Sequence, residues 1–390
     1  MKLRQWALVL TAALSLVMAG QNPAAAGTRL RDSTAAIDWT ELRQACLSHP
    51  DEAARQRGWA RSRFEQCHHL PLTKVELRKV GTGEYLGFIQ LEFWLLAKAD
   101  YTSRRVDMQV SVEQAGIASQ LNANLGYITA QVGNCAGAAF ITCSGETYRS
   151  DNIESWFSRP ALQPITATST DGAGQLPYAT VDLLALTSIT VEYRDGQTIP
   201  WNSQIAATAA RFDSAGTAIG SAPANGTVFT DSTPTLELDR GASSTYRAEA
   251  VHVDDALHRP QYTFPSIVGK NVPGENRPLH RLMGSAKDAN HNEAVKLCKD
   301  VWGPEYSQGG LECDEFPFQS TYEGAATSTS GVTCQNPTAT SPVDWRQWHG
   351  SARPIDGRQN GQGGTALGAF FRLNRILDCD GFYVKVVNQP

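Results

Sequence analysis

Short runs that alternate apolar and polar residues are the feature that most limits the folds open to this chain. Residues 85–96 are rich in aromatic and branched side chains, and residues 105–112 and 189–194 alternate cleanly. Gly, Ser, Asn and Pro separate such runs at short intervals, which is typical of antiparallel strands joined by turns. The sequence therefore predicts a mainly β region, resembling an antiparallel sandwich, over residues 73–231.

The rest of the chain predicts a two-domain organisation, because 390 residues exceed one average domain. Residues 27–72 form a leader followed by a helical pattern at 39–70, and a Gly/Ser/Pro-rich stretch at 216–231 reads as a linker. Residues 232–390 mix the two patterns and predict a compact α+β domain. Its expected elements are helices at 247–257, 287–299 and 367–374 and a closing strand at 382–387.

The first 26 residues have the pattern of a secretory signal peptide. Lys2 and Arg4 precede an apolar run at 6–19, and Ala24, Ala25 and Ala26 offer a cleavage site. No second apolar run is long enough to span a membrane. We therefore expect a secreted, extracellular protein with no membrane partner.

Eight cysteines follow the expected cleavage site, and an even number in an exported chain predicts four disulfides. Proximity favours Cys46–Cys67, Cys135–Cys143 and two bridges among the last four. A zinc site is the alternative, but the chain has no Cys-x-x-Cys or clustered Cys/His spacing. The last four cysteines are Cys298, Cys313, Cys334 and Cys379.

The stretch 313–324 carries the acidic residues Asp314, Glu315 and Glu323 between Phe, Pro and Tyr. Apolar surroundings disfavour a bare carboxylate, so such a cluster needs a cation, a hydrogen-bond donor or a proton. Carboxylates are ligands that Mg²⁺ and Mn²⁺ accept, and a divalent metal of this kind is the expected cofactor. The alternative is a strand end with solvated acids.

Several ordered motifs follow this stretch. Asn360 begins a Gly-rich segment, residues 367–372 read Leu-Gly-Ala-Phe-Phe-Arg, and residues 374–384 run from Asn-Arg-Ile-Leu-Asp to Phe-Tyr-Val. Together with a His252-containing segment at 250–257, these blocks resemble the NucA/NucB family of bacterial secreted deoxyribonucleases. The resemblance covers roughly residues 232–390.

This resemblance implies a metal-dependent endodeoxyribonuclease that cuts DNA with little sequence preference. It favours an acid of the Asp314–Glu315 pair as catalytic and Glu323 as a metal or base residue, with Asp314 and Glu323 as candidate metal ligands. Neighbouring residues of a strand point to opposite faces, so Asp314 and Glu315 cannot easily bind one metal. Asn360 would hold a metal-bound water or the phosphate.

Phosphate contacts are expected from the backbone of Gly363 and Gly364 and from Arg372 and Arg375. The alternatives are a tight turn and a solvated helix surface. Residues 232–390 carry 15 basic and 18 acidic side chains, but residues 345–377 hold five arginines and one acid, a local basic strip. His252 is a possible base, or a structural histidine.

One residue departs from the family pattern. Related sequences often have an acid immediately before this asparagine, whereas this chain has Gln359, and Asp356 is the nearest substitute. The second hypothesis is therefore a secreted binding protein, for nucleic acid or a surface, on a catalytically impaired nuclease scaffold. In either case DNA is the expected partner, the protein is expected to be a monomer without an obligate protein partner, and the fragment 232–390 is expected to remain active.

Overall fold

The computed structural model describes residues 37–133, 140–170 and 178–389, and Ile37–Pro390 form one compact unit. The predicted signal peptide and Cys135 of the predicted Cys135–Cys143 pair lie outside the described residues. None of the helices in these described ranges is both long and apolar enough to cross a membrane.

The helical segment predicted at 39–70 is correct only in its first half. Helices α1 (Thr40–Leu47) and α2 (Pro50–Ala53) are followed by strands β1 (Trp59–Ser62) and β2 (Glu65–Arg78). Gly58 lies between them with φ +66°, a left-handed conformation that glycine adopts without steric cost and that reverses the chain. The predicted Cys46–Cys67 disulfide is present and ties α1 to β2.

The predicted antiparallel β architecture is confirmed. One sheet has the strand order β1-β2-β3-β4-β8-β6 and the other β11-β10-β9-β5-β7, and their inward residues share one apolar core. Pairing is antiparallel throughout both sheets. The remaining elements are β3 (Tyr85–Ala99), β4 (Arg105–Ile117), β5 (Gly126–Gly133), β6 (Ile141–Ser144), β7 (Tyr148–Asn152), α3 (Ile153–Ser158), β8 (Ile165–Ser169), β9 (Thr180–Tyr193), β10 (Trp201–Asp213) and β11 (Gly226–Phe229).

The predicted linker at 216–231 is part of this β region. It contains a 3₁₀ turn at Gly216–Ile219 and the strand β11, which pairs with β10 and is buried along its whole length. Burial of the apolar side chains Val228 and Phe229 explains why this stretch is ordered despite its small, polar composition. A division into domains at residue 232 stays a prediction.

The C-terminal region mixes helices with two small sheets. A three-stranded sheet has the order β12-β16-β13, and a two-stranded hairpin pairs β14 with β15. The helices predicted at 247–257 and 287–299 are confirmed as α4 and α5. The elements are β12 (Thr235–Asp239), α4 (Arg247–His258), β13 (Leu279–His280), α5 (Ala286–Trp302), β14 (Leu311–Phe316), α6 (Ala325–Ser330), β15 (Ser351–Asp356), α7 (Gly357–Leu373) and β16 (Gly381–Val387).

The Gly-rich segment after Asn360 is helical, so the helix predicted at 367–374 begins ten residues earlier than expected and the alternative of a tight turn is wrong. Helix α7 begins at Gly357 because the Asp356 side chain accepts a hydrogen bond from Gln359 N, 2.9 Å away. Leu367 and Phe371 then bury one face of the helix in the C-terminal core. This tertiary packing outweighs the low helix propensity of the glycines.

Two disulfides among the last four cysteines are present, as predicted. Cys298–Cys313 joins α5 to β14 directly before Asp314, and Cys334–Cys379 joins the segment after α6 to the turn before β16. Because the first bridge fixes β14 against α5, it holds the acidic stretch next to that helix.

Buried ion pairs connect the sandwich to the C-terminal region. Arg375 is fully buried and pairs with Asp213 at the end of β10, with Arg375 Nε donating to Asp213 Oδ2 at 3.1 Å. Asp380 accepts hydrogen bonds from Arg63 at 3.0 Å and from Arg211 at 2.6 Å. We call these five residues the joint cluster. Arg63 and Arg375 have their ion-pair partners in the other region, whereas Arg211 also lies 3.8 Å from Asp213 in its own. The joint cluster therefore ties the two regions together.

Candidate functional site

A cavity of about 530 Å³ lies between α4, α5, α7 and the β14 strand, and the acidic stretch forms part of its wall. It is lined by four carboxylates together with three basic side chains and the Asn360 amide. The carboxylates are Glu249, Glu312, Asp314 and Glu315, and the basic residues are Arg281, Lys287 and His291.

The Asp314 carboxylate is hydrogen-bonded to a buried histidine, His252. The Asp314 carboxylate, in a residue only 4% exposed, contacts His252 Nδ1 through Oδ2 at 2.6 Å, and His252 Nε2 lies 2.7 Å from the Ser351 hydroxyl. Because a carboxylate only accepts, His252 donates from Nδ1 to Asp314. His252 is itself fully buried and does not line the cavity, so it positions Asp314 rather than meeting a substrate.

Glu315 contacts a different histidine, His291 on α5, with 3.5 Å between Glu315 Oε1 and His291 Nδ1. As alternation along a strand predicts, the neighbouring carboxylates of Asp314 and Glu315 contact different helices. Both nevertheless line the same cavity. The hydrogen bond to Glu315 raises the pKa of His291 against the opposing effect of burial, and burial raises the pKa of Glu315.

Glu249 is a site residue that the sequence did not reveal. It lies on α4, is 3% exposed, and its Oε2 has no hydrogen-bond partner among the described residues. Burial, followed by the charges of Asp314 and Glu315, raises the pKa of this carboxyl to about 9. Gly363 is the one related feature of the sequence, since a Cβ built there would overlap Glu249 Oε2. The sequence alone does not reveal this contact, because it depends on how α4 packs against α7.

Asn360 lines the cavity as predicted and donates from Nδ2 to Glu312 Oε2 at 3.0 Å. Its carbonyl oxygen, Oδ1, remains available to a water or a phosphate-bound group. The structure thus brings together three of the predicted catalytic residues, Asp314, Glu315 and Asn360.

Glu323 does not join them. It lines a separate cavity of about 430 Å³ and accepts hydrogen bonds from both the backbone and the ring of His280, at 2.9 and 2.8 Å. These bonds anchor the turn before α6 to β13. The predicted role of Glu323 as a ligand of the same metal as Asp314 is therefore not supported by its position.

The predicted phosphate contacts are also corrected. Arg375 is buried against Asp213, and Arg372 is not among the residues that line the cavity. The N–H groups of Gly363 and Gly364 lie inside α7, where they serve the helix's own hydrogen bonds and cannot cradle a phosphate. Arg281 and Lys287, which line the cavity, are the cations in reach of an anion there.

Acids outside residues 345–377 pair with three of the five arginines in the predicted basic strip, Arg346, Arg353 and Arg375. Arg353 pairs with Asp255 at 2.7 Å, and Arg346 lies near Asp300 and Asp344. Local sequence charge therefore overstated the positive field at this surface.

Gln359, which stands where the resemblance implies an acid, and Asp356, its nearest possible substitute, both cap helices. The Gln359 side chain accepts a hydrogen bond from Ala248 N at the start of α4 at 2.7 Å, and Asp356 caps α7. Neither residue lines the cavity. Asp356 therefore does not replace a missing acid within the site.

No protein-family model matches this chain. No curated protein matches its sequence either. The site is accordingly interpreted from its own chemistry.

The cavity's donor set suits a hard divalent cation. Its carboxylates and amide oxygen are the ligands that Mg²⁺ and Mn²⁺ prefer, and Glu249 Oε2 is buried with no partner among the described residues. Within those residues no group of three or more His, Cys, Asp or Glu side chains is arranged to enclose a metal. Mg²⁺ commonly uses only one or two carboxylates and completes its shell with water and substrate oxygens, so the donor set fits such an ion.

Proposed function

We propose that this protein is a secreted endodeoxyribonuclease that hydrolyses DNA phosphodiester bonds with the help of a divalent metal. The observation that carries the proposal is the cavity in which Asp314, held by buried His252, and Glu315, in contact with His291, face basic side chains. Perturbed carboxyl groups clustered in a cleft are typical of catalytic sites.

In this proposal Asp314 is the carboxylate that holds the metal, and His252 fixes its orientation. Carboxylate ligands oriented by a hydrogen-bonded partner are typical of metal sites. The bound ion would neutralise negative charge on the phosphate oxygens. Asn360 Oδ1 orients a water or a phosphate-bound group without adding negative charge near DNA.

His291 is the residue proposed to take the proton of the attacking water. Its Nδ1 contacts Glu315, which leaves Nε2 for the water, and its side chain is 47% exposed at the cavity wall. Glu315 acts through His291 by fixing the ring and stabilising its protonated form.

Arg281 and Lys287 are proposed to contact the flanking phosphates. Such contacts position DNA but carry no sequence information, which agrees with low sequence preference.

The proposal is tested by incubating the protein with supercoiled plasmid DNA in Mg²⁺, Mn²⁺ or EDTA. We expect nicked and linear products with either metal and intact plasmid in EDTA, because the phosphate charge is then not neutralised. If the plasmid stays intact with each of the two metals, the nuclease hypothesis is rejected.

The pH dependence of cleavage offers a check on His291. A base must be deprotonated, so kcat/KM should rise with pH and reach half its plateau above the ordinary histidine value of about 6.5. The acids near His291 are Glu315, Asp288 and Glu312, and Glu315 contributes most to the raised pKa. Glu315→Gln should therefore move the midpoint of the pH profile downwards.

The control for this profile is Glu323→Gln. Glu323 raises the pKa of His280 in the same way, but in the other cavity, so its loss should leave the midpoint of the profile in place. An unchanged midpoint in Glu315→Gln would remove His291 from the mechanism.

One observation favours the alternative of a DNA- or surface-binding protein on an impaired nuclease scaffold. The amide of Gln359 caps α4 and contributes nothing to the cavity. In that case DNA would be retained in a gel-shift assay with and without metal, and the plasmid would stay intact.

A further inference from the structure

We propose that Glu249 is a cation ligand, and that the carboxylates of Glu249 and Asp314 together form a divalent-metal site between α4 and β14. The role of this metal in catalysis rests on the proposed function, whereas its binding does not. The sequence patterns of the acidic stretch and of the Asn360 segment do not include Glu249.

The position of Glu249 requires an explanation because one oxygen of its buried carboxyl group has no hydrogen-bond partner in the described part of the protein. The residue is 3% exposed, lines the cavity, and its Oε2 has no hydrogen-bond partner among the described residues. An unpaired buried carboxylate is unfavourable by several kcal/mol in order of magnitude, so without a ligand the Glu249 carboxyl takes up a proton, in line with its raised pKa, and a bound cation would replace that proton.

The neighbours of Glu249 indicate the charge of that ligand. Asp314 and Glu315 are the groups that interact with it electrostatically, and both are acids. A cation would relieve the repulsion between them, whereas an anion or a further carboxylate would increase it.

Helix α7 is shaped to admit the Glu249 carboxylate. At Gly363 the helix has no side chain, and any Cβ there would occupy the position of Glu249 Oε2. Gly364, the next residue, has open space at its Cβ position. An alanine at 363 would therefore have to displace the end of the Glu249 side chain, whereas an alanine at 364 would displace nothing.

The small number of protein ligands points to Mg²⁺ or Mn²⁺ rather than Ca²⁺. The protein offers two carboxylates, and one oxygen of Asp314 is already hydrogen-bonded to His252. Most of the coordination sphere of a bound ion would therefore be filled by water and phosphate oxygens. This is the usual arrangement for Mg²⁺, whereas Ca²⁺ takes six to eight protein and water oxygens.

The test measures Mn²⁺ binding without DNA. Full-chain protein freed of metal with EDTA is titrated with MnCl₂, and free Mn²⁺ is followed by electron paramagnetic resonance, since bound Mn²⁺ loses its sharp signal. We expect Glu249→Gln to weaken Mn²⁺ binding by about tenfold or more. Asp254→Asn should bind as the unaltered protein does, because Asp254 lies on the same helix but pairs with Arg240 and His258 outside the cavity.

A second pair of variants tests the Glu249 carboxylate by changing the helix α7 residues next to it. Gly363→Ala displaces the Glu249 carboxylate and should weaken Mn²⁺ binding, whereas Gly364→Ala should not. Thermal melting in EDTA reports whether each variant is folded. Native Mn²⁺ affinity in Glu249→Gln, or no binding by the unaltered protein at millimolar Mn²⁺, would overturn the inference.

The outcomes separate this inference from the proposed function. Glu249-dependent Mn²⁺ binding with no DNA cleavage would support the metal site and reject the nuclease. DNA cleavage whose dependence on Mn²⁺ concentration is the same in Glu249→Gln would support the nuclease and reject Glu249 as a ligand.

Discussion

Asp213→Asn is expected to lower the free energy of unfolding by about 3–5 kcal/mol, the range for breaking one partner of a buried ion pair. Both Asp213 and Arg375 have fully buried side chains, and the asparagine would leave the Arg375 guanidinium uncompensated beside Gly226. Urea unfolding followed by tryptophan fluorescence measures the change.

The matched control is Glu192→Gln, which breaks the exposed Arg194–Glu192 pair in the same β region. Exposed pairs contribute about 0–1 kcal/mol, so this variant should unfold at nearly the original urea concentration. If the two variants lose equal stability, the joint cluster is not the desolvated contact described above. The same contact argues that the fragment 232–390 would leave Arg375 without its partner, against the expectation from sequence.

Asp314→Asn is expected to reduce DNA cleavage by about 10²–10⁴-fold, because it removes the charge proposed to hold the metal. The fold should survive, since an asparagine oxygen can still accept the His252 hydrogen bond and one of several clustered negative charges is removed. Initial rates of plasmid nicking in Mg²⁺ measure the loss.

Two comparisons interpret this variant. Asp254→Asn, on the neighbouring helix and outside the cavity, controls for the loss of an acid and should cleave at nearly the original rate. A melting temperature that falls sharply in Asp314→Asn while the folded fraction keeps its activity would assign Asp314 a structural role instead.

Sequence was informative where an ordered set of motifs, or a regular alternation, could be recognised along the chain. Asp314, Glu315 and Asn360 were predicted as site residues, and they line one cavity. Alternation identified the strands of the sandwich because each strand buries one face. The close pair Cys46–Cys67 was predictable from separation alone.

The errors arose where distant segments decide the outcome. Arg375 was predicted to bind phosphate, but Asp213, 162 positions earlier in the chain, buries it. The helix predicted from residue 367 begins at Gly357, because the tertiary packing of α7 is not visible in the low helix propensity of Gly363 and Gly364. Glu249 was missed because its importance arises from its contact with another helix rather than from a motif.

The joint cluster also has a consequence for synthesis: the ion pairs of the sandwich are complete only when the C-terminal residue Asp380 has been made. Asp380 neutralises Arg63 and Arg211, which precede it by 317 and 169 positions. The sandwich emerges from the ribosome long before Asp380, since chains are made from the N-terminus. A chain that ends before Asp380 therefore leaves Arg63 without its ion-pair partner and Arg211 with Asp213 alone, 3.8 Å away, and proteases have an opportunity to remove it before folding is complete.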